Sequence, residues 1–148
     1  GKTRVRVNGI LVENEAVLMV ELKSPTRELP FWTPPGGGLQ FAETLQECLK
    51  REFEEETGLL VEVEELCYVS EYVSPPWHAV ELYFKVRRTG GVLQLGSDPE
   101  LPASAQMIRQ VKFIPLDQLP DVPVVPEFIV RRLGQDLRDG LNTPVWIR

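Results

Sequence analysis

"PPGGGLQFAETLQECLKREFEEETGLL", residues 34–60, decides how the rest of the chain is read. Three glycines, Gly36, Gly37 and Gly38, lead into a segment with helical spacing from about Glu43 to Thr57, which Gly58 is placed to end as the C′ residue. With Leu45 at zero and about 100° per residue, Leu49 falls at about 40°, Cys48 at about 300° and Phe53 at about 80°, a single apolar stripe. On the same wheel Glu52 falls at about 340° and Glu56 at about 20°, inside the stripe, with Glu55 beside it at about 280°. Glu54, at about 180°, stands on the far side with Glu47 and Lys50 and reads as a solvated surface residue.

Three carboxylates in line with Leu45 and Leu49 need compensation. Cβ atoms at i and i+3 or i+4 lie about 5–6 Å apart. Like charges at that range repel by roughly 2–3 kcal/mol at an effective dielectric of ~20. Arg51, four residues before Glu55, can steady one carboxylate but cannot neutralise three. Hard divalent cations favour oxygen ligands of this kind, so Mg2+ or Mn2+ is the expected partner. The glycines let a ligand approach the main chain, and they lie just before the N-terminus of the acidic helix, where the dipole favours anions. Glycines and helix together suggest a metal-bound phosphate chain lying between them.

The whole chain agrees with that picture. Its 148 residues suit one domain spanning 1–148, and 43% hydrophobic with 26% charged residues is ordinary globular composition. A net charge of -6 argues against a general nucleic-acid binder, while allowing a small anion whose charge a metal offsets. Cys48 and Cys67 lack metal-type spacing and are expected as reduced, buried thiols in a cytoplasmic protein. No apolar run reaches the ~20 residues that span a bilayer, so no membrane partner is expected. The chain opens on Gly1 and not Met, as a trimmed sequence would, and no signal peptide is expected.

Residues 4–22 read as two strands joined at Glu13-Asn14-Glu15, with Asn8-Gly9 a bulge or strand break. Residues 23–38 read as a loop rich in proline and glycine. Strands follow at 59–73 and 78–88 around Ser74-Pro75-Pro76, then a Gly90-Gly91 turn, a short strand "VLQL", a polar loop over 96–106 and a strand "QVKFIPL". A last helix starts near Pro126 and runs to about Asp139, with Phe128, Ile129, Leu133 and Leu137 as its apolar face. Strands and helices mix without regular βαβ alternation, which predicts an α+β fold with a mixed sheet.

The acidic stretch resembles the signature box of the Nudix hydrolase family: G, five residues, E, seven residues, then R-E-U-x-E-E-x-G-U, where U is aliphatic. Gly37, Glu43 and Arg51-Glu52-Phe53-Glu54-Glu55-Glu56-Thr57-Gly58-Leu59 fill it in register. Phe53 is the one departure, apolar but not aliphatic, and should affect packing rather than chemistry. The opening strands and "VKFIPLDQLP" extend the resemblance more loosely. It implies an α/β/α sandwich around a mixed sheet, a divalent metal, usually magnesium, and hydrolysis of a nucleoside diphosphate linked to another group X. It further implies that Glu52, Glu55 and Glu56 bind metal, that Arg51 orients them, that Gly37 contributes a carbonyl near the metal, and that Glu43 is structural or partners the arginine. Catalysis then falls to Glu52, Arg51 and Glu55, with Glu52 the expected general base and Glu100, in the loop "SDPE", the external candidate for base or ligand.

The box does not choose X. Gly36, Gly38, Trp32 and Arg27 are expected around the substrate, Trp32 as a stacking surface or pocket wall and Arg27, with Lys23, as phosphate contacts. Tyr72, Trp77 and His78 are further candidates that read equally well as packing or loop residues. Pro75 lies sixteen residues beyond Leu59, at the offset that marks ADP-ribose pyrophosphatases in this family, which tilts X slightly toward ADP-ribose or another nucleotide sugar. Nucleoside triphosphates, dinucleoside polyphosphates and modified RNA ends stay open, although the acidic charge disfavours long nucleic acid. A nucleotide-sensing module that binds without cutting would be expected to lack box carboxylates, and all are present here. Dimers occur in the family, so a homodimer is an expectation by analogy alone.

Overall fold

Alternating side chains, not helices, set the frame. The computed structural model describes residues 1–23, 28–96, 107–141 and 143–148. Five strands, β1 (Thr3–Ile10), β2 (Val12–Glu13), β3 (Ala16–Leu22), β4 (Phe31–Thr33) and β5 (Gly36–Gly38), precede α1 (Leu45–Thr57). After it come β6 (Leu59–Ser74), β7 (Trp77–Gly91), β8 (Ile108–Pro115), a 3-10 turn (Leu116–Asp121), α2 (Phe128–Asp139) and β9 (Val145–Trp146). One sheet has the order β5-β1-β7-β6-β9, and in the other β3 pairs with β2, β4 and β8. Pairing is parallel between β1 and β7 and between β6 and β9, and antiparallel elsewhere, so the sheet is mixed as expected.

The period of two along β3 divides the core. Val17 and Met19 join Trp32, Tyr68, Tyr83 and the Phe128, Ile129 and Leu133 face of α2. Leu18 joins Val7, Leu59 and the Cys48, Leu49 and Phe53 face of α1. The strands are therefore sandwiched between two helices. Tyr68, Tyr83 and Phe128 meet edge to face at centroid distances of 5.2 to 6.5 Å, an arrangement favoured by ring quadrupoles.

α1 starts where the sequence supplies a capping box: Thr44 Oγ1 accepts the Glu47 N–H at 3.1 Å, and Glu47 Oε1 accepts the Thr44 N–H at 3.1 Å. It stops at Gly58, whose φ of 77° favours glycine and whose N–H donates to Glu54 O at 2.9 Å. The Glu13–Glu15 turn is present, with Asn14 and Glu15 at φ 51° and 60°.

Four expectations about the strands are corrected. Asn8-Gly9 do not interrupt β1, which runs in continuous parallel register with β7 through Asn8↔Tyr83 and Gly9↔Phe84. Gly9 is small because the Phe53 ring lies over it; a Cβ there would stand 2.6 Å from Phe53 Cε2. The apolar departure at 53 is thus accommodated by a missing side chain on β1. Second, the stretch expected as loop contains β4 and β5, the latter held by Arg6↔Gly38, Val7↔Gly37 and Asn8↔Gly36. Third, Gly90 and Gly91 extend β7 against Leu60 and Leu59 instead of turning. Fourth, residues 92–96 form no strand; Gln94 and Gly96 N–H groups donate to Thr57 O and Glu56 O and tie this segment to the end of α1. Most of the expected 96–106 loop lies outside the described residues. Among the described residues, no helix is long and apolar enough to cross a membrane.

Candidate functional site

The helical wheel of α1 holds in three dimensions. Cys48, Leu49 and Phe53 are buried, Glu54 is exposed, and Glu52, Glu55 and Glu56 are partly buried beside the apolar stripe. The strand β5 receives them. A Cβ on Gly37 would come within 2.5 Å of Glu52 Oε1, so the absent side chain is what lets this carboxylate lie on the main chain. The Gly36 N–H donates to Glu56 Oε1 at 3.3 Å.

Arg51 ties the cluster together more widely than its spacing suggests. Nε and Nη2 clasp Glu43 Oε2 and Oε1 at 2.7 and 3.1 Å, a bidentate pair. Nη1 then reaches Glu52 Oε1 at 2.9 Å and Glu55 Oε2 at 3.3 Å. The arginine hydrogen bond holds Glu43 well below the usual carboxylate range, at about 2. The opposite shift marks the two carboxylates nearest the glycines. Burial raises Glu52, against the pull of Arg51, and burial followed by repulsion from Glu52 raises Glu56 well above its ordinary value. Burial also pushes the Cys48 thiol up to about 12, so it stays protonated and serves as packing, not as a nucleophile.

These groups floor a cleft of about 260 Å³ that opens where the two sheets part. Gly36, Gly37, Gly38 and Arg6 form one wall; Val20, Leu22, Thr33, Met107 and Ile108 form the other; Glu52, Glu55 and Glu56 lie between them. Among the described residues, no three acidic, histidine or cysteine side chains stand close enough to hold an ion as they are, because Glu52 and Glu55 are turned onto Arg51. The donor set itself suits a hard divalent cation: three carboxylates beside glycine backbone carbonyls, Glu52 and Glu56 destabilised as anions by burial, and only Glu52 and Glu55 sharing the Arg51 guanidinium.

The substrate-side expectations fare unevenly. Gly36 and Gly38 line the cleft, and Trp32 does not. Neighbouring side chains on a strand point to opposite faces. Thr33 therefore takes the cleft side of β4, while Trp32 is 5% exposed within the α2-side core, with Lys112 Nζ 5.0 Å from its ring centroid. Tyr72 and Trp77 are exposed near the β6–β7 turn, and His78 contacts Glu71 and Thr3. Pro75 lines a separate depression with Trp77 and His78. Arg27 and Glu100 lie outside the described residues. Reading the sequence missed Arg6, whose place in the cleft follows from the β5–β1–β7 register and from no local pattern.

Comparison with known proteins gives the same direction. A family model described as the NUDIX domain matches residues 2–131. An ADP-ribose pyrophosphatase of Methanocaldococcus jannaschii is 30% identical over 132 residues, covering 86% of this chain and 70% of that protein. A human protein, the 8-oxo-dGDP phosphatase NUDT18, is 36% identical over 88 residues, 60% of this chain but only 26% of the human one. The solution structure of the E. coli ORF135 protein superposes with a TM-score of 0.75 at 16% identity, covering 95% of each chain, and so shares the fold.

Proposed function

This chain belongs to the NUDIX hydrolase family, and on that premise we propose that it is a divalent-metal-dependent pyrophosphohydrolase for a nucleoside diphosphate linked to a second group, with ADP-ribose or a similar nucleotide sugar favoured. The observation that carries the reading is the meeting of Glu52, Glu55 and Glu56 with the Gly36–Gly38 strand at the floor of the cleft. The choice of ADP-ribose is supported by the archaeal relative, which matches most of the chain. Pro75 adds little to it, since its side of the β6–β7 turn lines a different depression.

Glu52, Glu55, Glu56 and the Gly37 carbonyl would hold Mg2+ or Mn2+. When bound, such a metal neutralises charge on the diphosphate oxygens and acidifies the attacking water. The chain's own residues supply the rest. Glu52 takes the proton from water. Arg51, fixed by its bidentate grip on Glu43, aims Glu52 and Glu55. Gly38 leaves the main chain at the mouth of the glycine strand open to the diphosphate, with no atom within 4 Å of where its Cβ would stand. Water adds to one phosphorus, the bridging P–O bond breaks, and two phosphate monoesters leave.

A second reading is hydrolysis of a nucleoside diphosphate or triphosphate itself; the human relative's name supports the diphosphate part of it. A Mg2+-dependent screen of nucleotide sugars, dinucleotides, diphosphates and triphosphates separates them by product: a sugar phosphate with a nucleoside monophosphate supports the first, inorganic phosphate or pyrophosphate the second. Hydrolysis that persists at full rate in chelator would overturn both.

A further inference from the structure

We propose that Arg6 is the residue that binds a phosphoryl group of the substrate in the cleft, and that it sets the preference for diphosphate-containing ligands over singly phosphorylated ones. The assignment rests on the diphosphate chemistry proposed above. Among the described residues lining the cleft, Arg6 is the one cationic side chain. Arg51 is already committed, its donors divided among Glu43, Glu52 and Glu55. Arg6 is not. Its nearest carboxylate among the described residues is Glu81, at 3.9 Å, beyond hydrogen-bond range, and its side chain is 42% exposed.

Register explains why those donors face the ligand. Arg6 sits directly opposite Gly38 on β5 and beside Glu81 on β7. Residues paired across a sheet share a face, and a side chain at 38 would stand against Arg6. There is none, and a Cβ on Gly38 would enter open space. The glycine strand therefore has two jobs. Gly37 gives room to Glu52, and Gly38 keeps the guanidinium uncovered. Glu81 steadies the charge from the neighbouring strand without using up its hydrogen bonds. A guanidinium held this way matches the paired oxygens of a phosphoryl group. Three carboxylates otherwise repel an anion from this cleft, so an uncommitted cation at its wall is the chain's own means of drawing one in.

The test uses Arg6→Gln, Arg6→Lys and Gly38→Val with two probes, each in Mg2+: calorimetric binding of inorganic pyrophosphate, and hydrolysis of ADP-ribose with KM and kcat resolved separately. Loss of a charge-assisted contact should weaken pyrophosphate about ten-fold or more in Arg6→Gln, with a matching rise in KM and little change in kcat. Arg6→Lys should recover part of the loss, and inorganic phosphate should discriminate the variants far less than pyrophosphate does. Gly38→Val leaves Arg6 in place but covers it, and should mimic Arg6→Gln while melting as the wild type does. Pyrophosphate affinity within two-fold of wild type in both Arg6→Gln and Gly38→Val overturns the assignment. If no nucleotide is hydrolysed but pyrophosphate binds in an Arg6-dependent way, the proposed reaction fails and Arg6 stands. If wild type binds no pyrophosphate, the assignment falls with it.

Discussion

The two helices on opposite sides of the sheets treat acidic side chains differently. On α2, Asp136 Oδ2 accepts the Tyr68 hydroxyl at 2.7 Å and Arg132 Nε at 3.1 Å, so the carboxylate and the buried phenol satisfy one another. On α1, Glu56 accepts one backbone N–H at a long 3.3 Å, while Glu52 and Glu55 share a guanidinium that Glu43 already clasps from two sides. Burial raises both Glu52 and Glu56. Asp136 is fully partnered within the fold, whereas the α1 carboxylates divide one guanidinium and one long backbone contact, as the proposed ligand role requires. The two helices pack on the same pair of sheets in one chain, so differences in composition or solvent do not explain the contrast.

Substitutions on the two helices should therefore have opposite signatures. Glu52→Gln is expected to have the largest effect, lowering kcat by roughly 10²–10⁴-fold as the proposed general base is lost, while the metal-free melting temperature holds or rises because a poorly compensated charge has gone. Steady-state kinetics beside thermal melts in chelator check both halves. Asp136→Asn should do the reverse, with turnover retained and a cost of about 1–3 kcal/mol in denaturant unfolding, as Tyr68 and Arg132 lose the charge of their shared acceptor and an amide NH2 takes the place of one of its oxygens. Loss of stability in Glu52→Gln or loss of turnover in Asp136→Asn would break the contrast.

Smaller effects sharpen it. Thr44→Ala removes the cap that starts α1 and should cost about 1 kcal/mol. Glu43 is depressed to about 2 in the folded protein, so its pairing with Arg51 contributes stability above its ordinary value near 4.5 and loses it as pH falls from there toward 2. Glu43→Gln should flatten that limb of the stability profile, measured by urea unfolding between pH 5 and pH 2.5. Glu54→Gln, on the solvent side of α1, should change neither turnover nor stability by more than about 0.5 kcal/mol. Its silence beside Glu52 separates position on the helix from mere acidity.

Local patterns carried the reading of the sequence where the structure is local. The face of α1 and its end at Gly58 follow from spacings within five residues, and the division between Glu54 and the other acids with them, while its start, expected at about Glu43, is set by the Thr44 cap. Glycine-rich β5 was illegible because glycine has no β pattern of its own; only pairing with β1 makes it a strand. The Asn8-Gly9 signal misled for a related reason, since Gly9 answers to Phe53, more than forty residues away, and not to a turn. Trp32 shows how near in sequence differs from near in space: it is a core residue, and its immediate neighbour Thr33 lines the cleft. Arg6 could be found only once three strands were in register.

Manganese binding followed by electron paramagnetic resonance tests most directly whether the α1 carboxylates are short of partners because a divalent cation completes them. Titration of the wild type should remove the free Mn2+ signal saturably. Asp136→Asn should match it, and Glu56→Gln should bind at least ten-fold more weakly. Equal Mn2+ affinity in the wild type and Glu56→Gln, or no binding by either, would contradict a metal site on this face of α1.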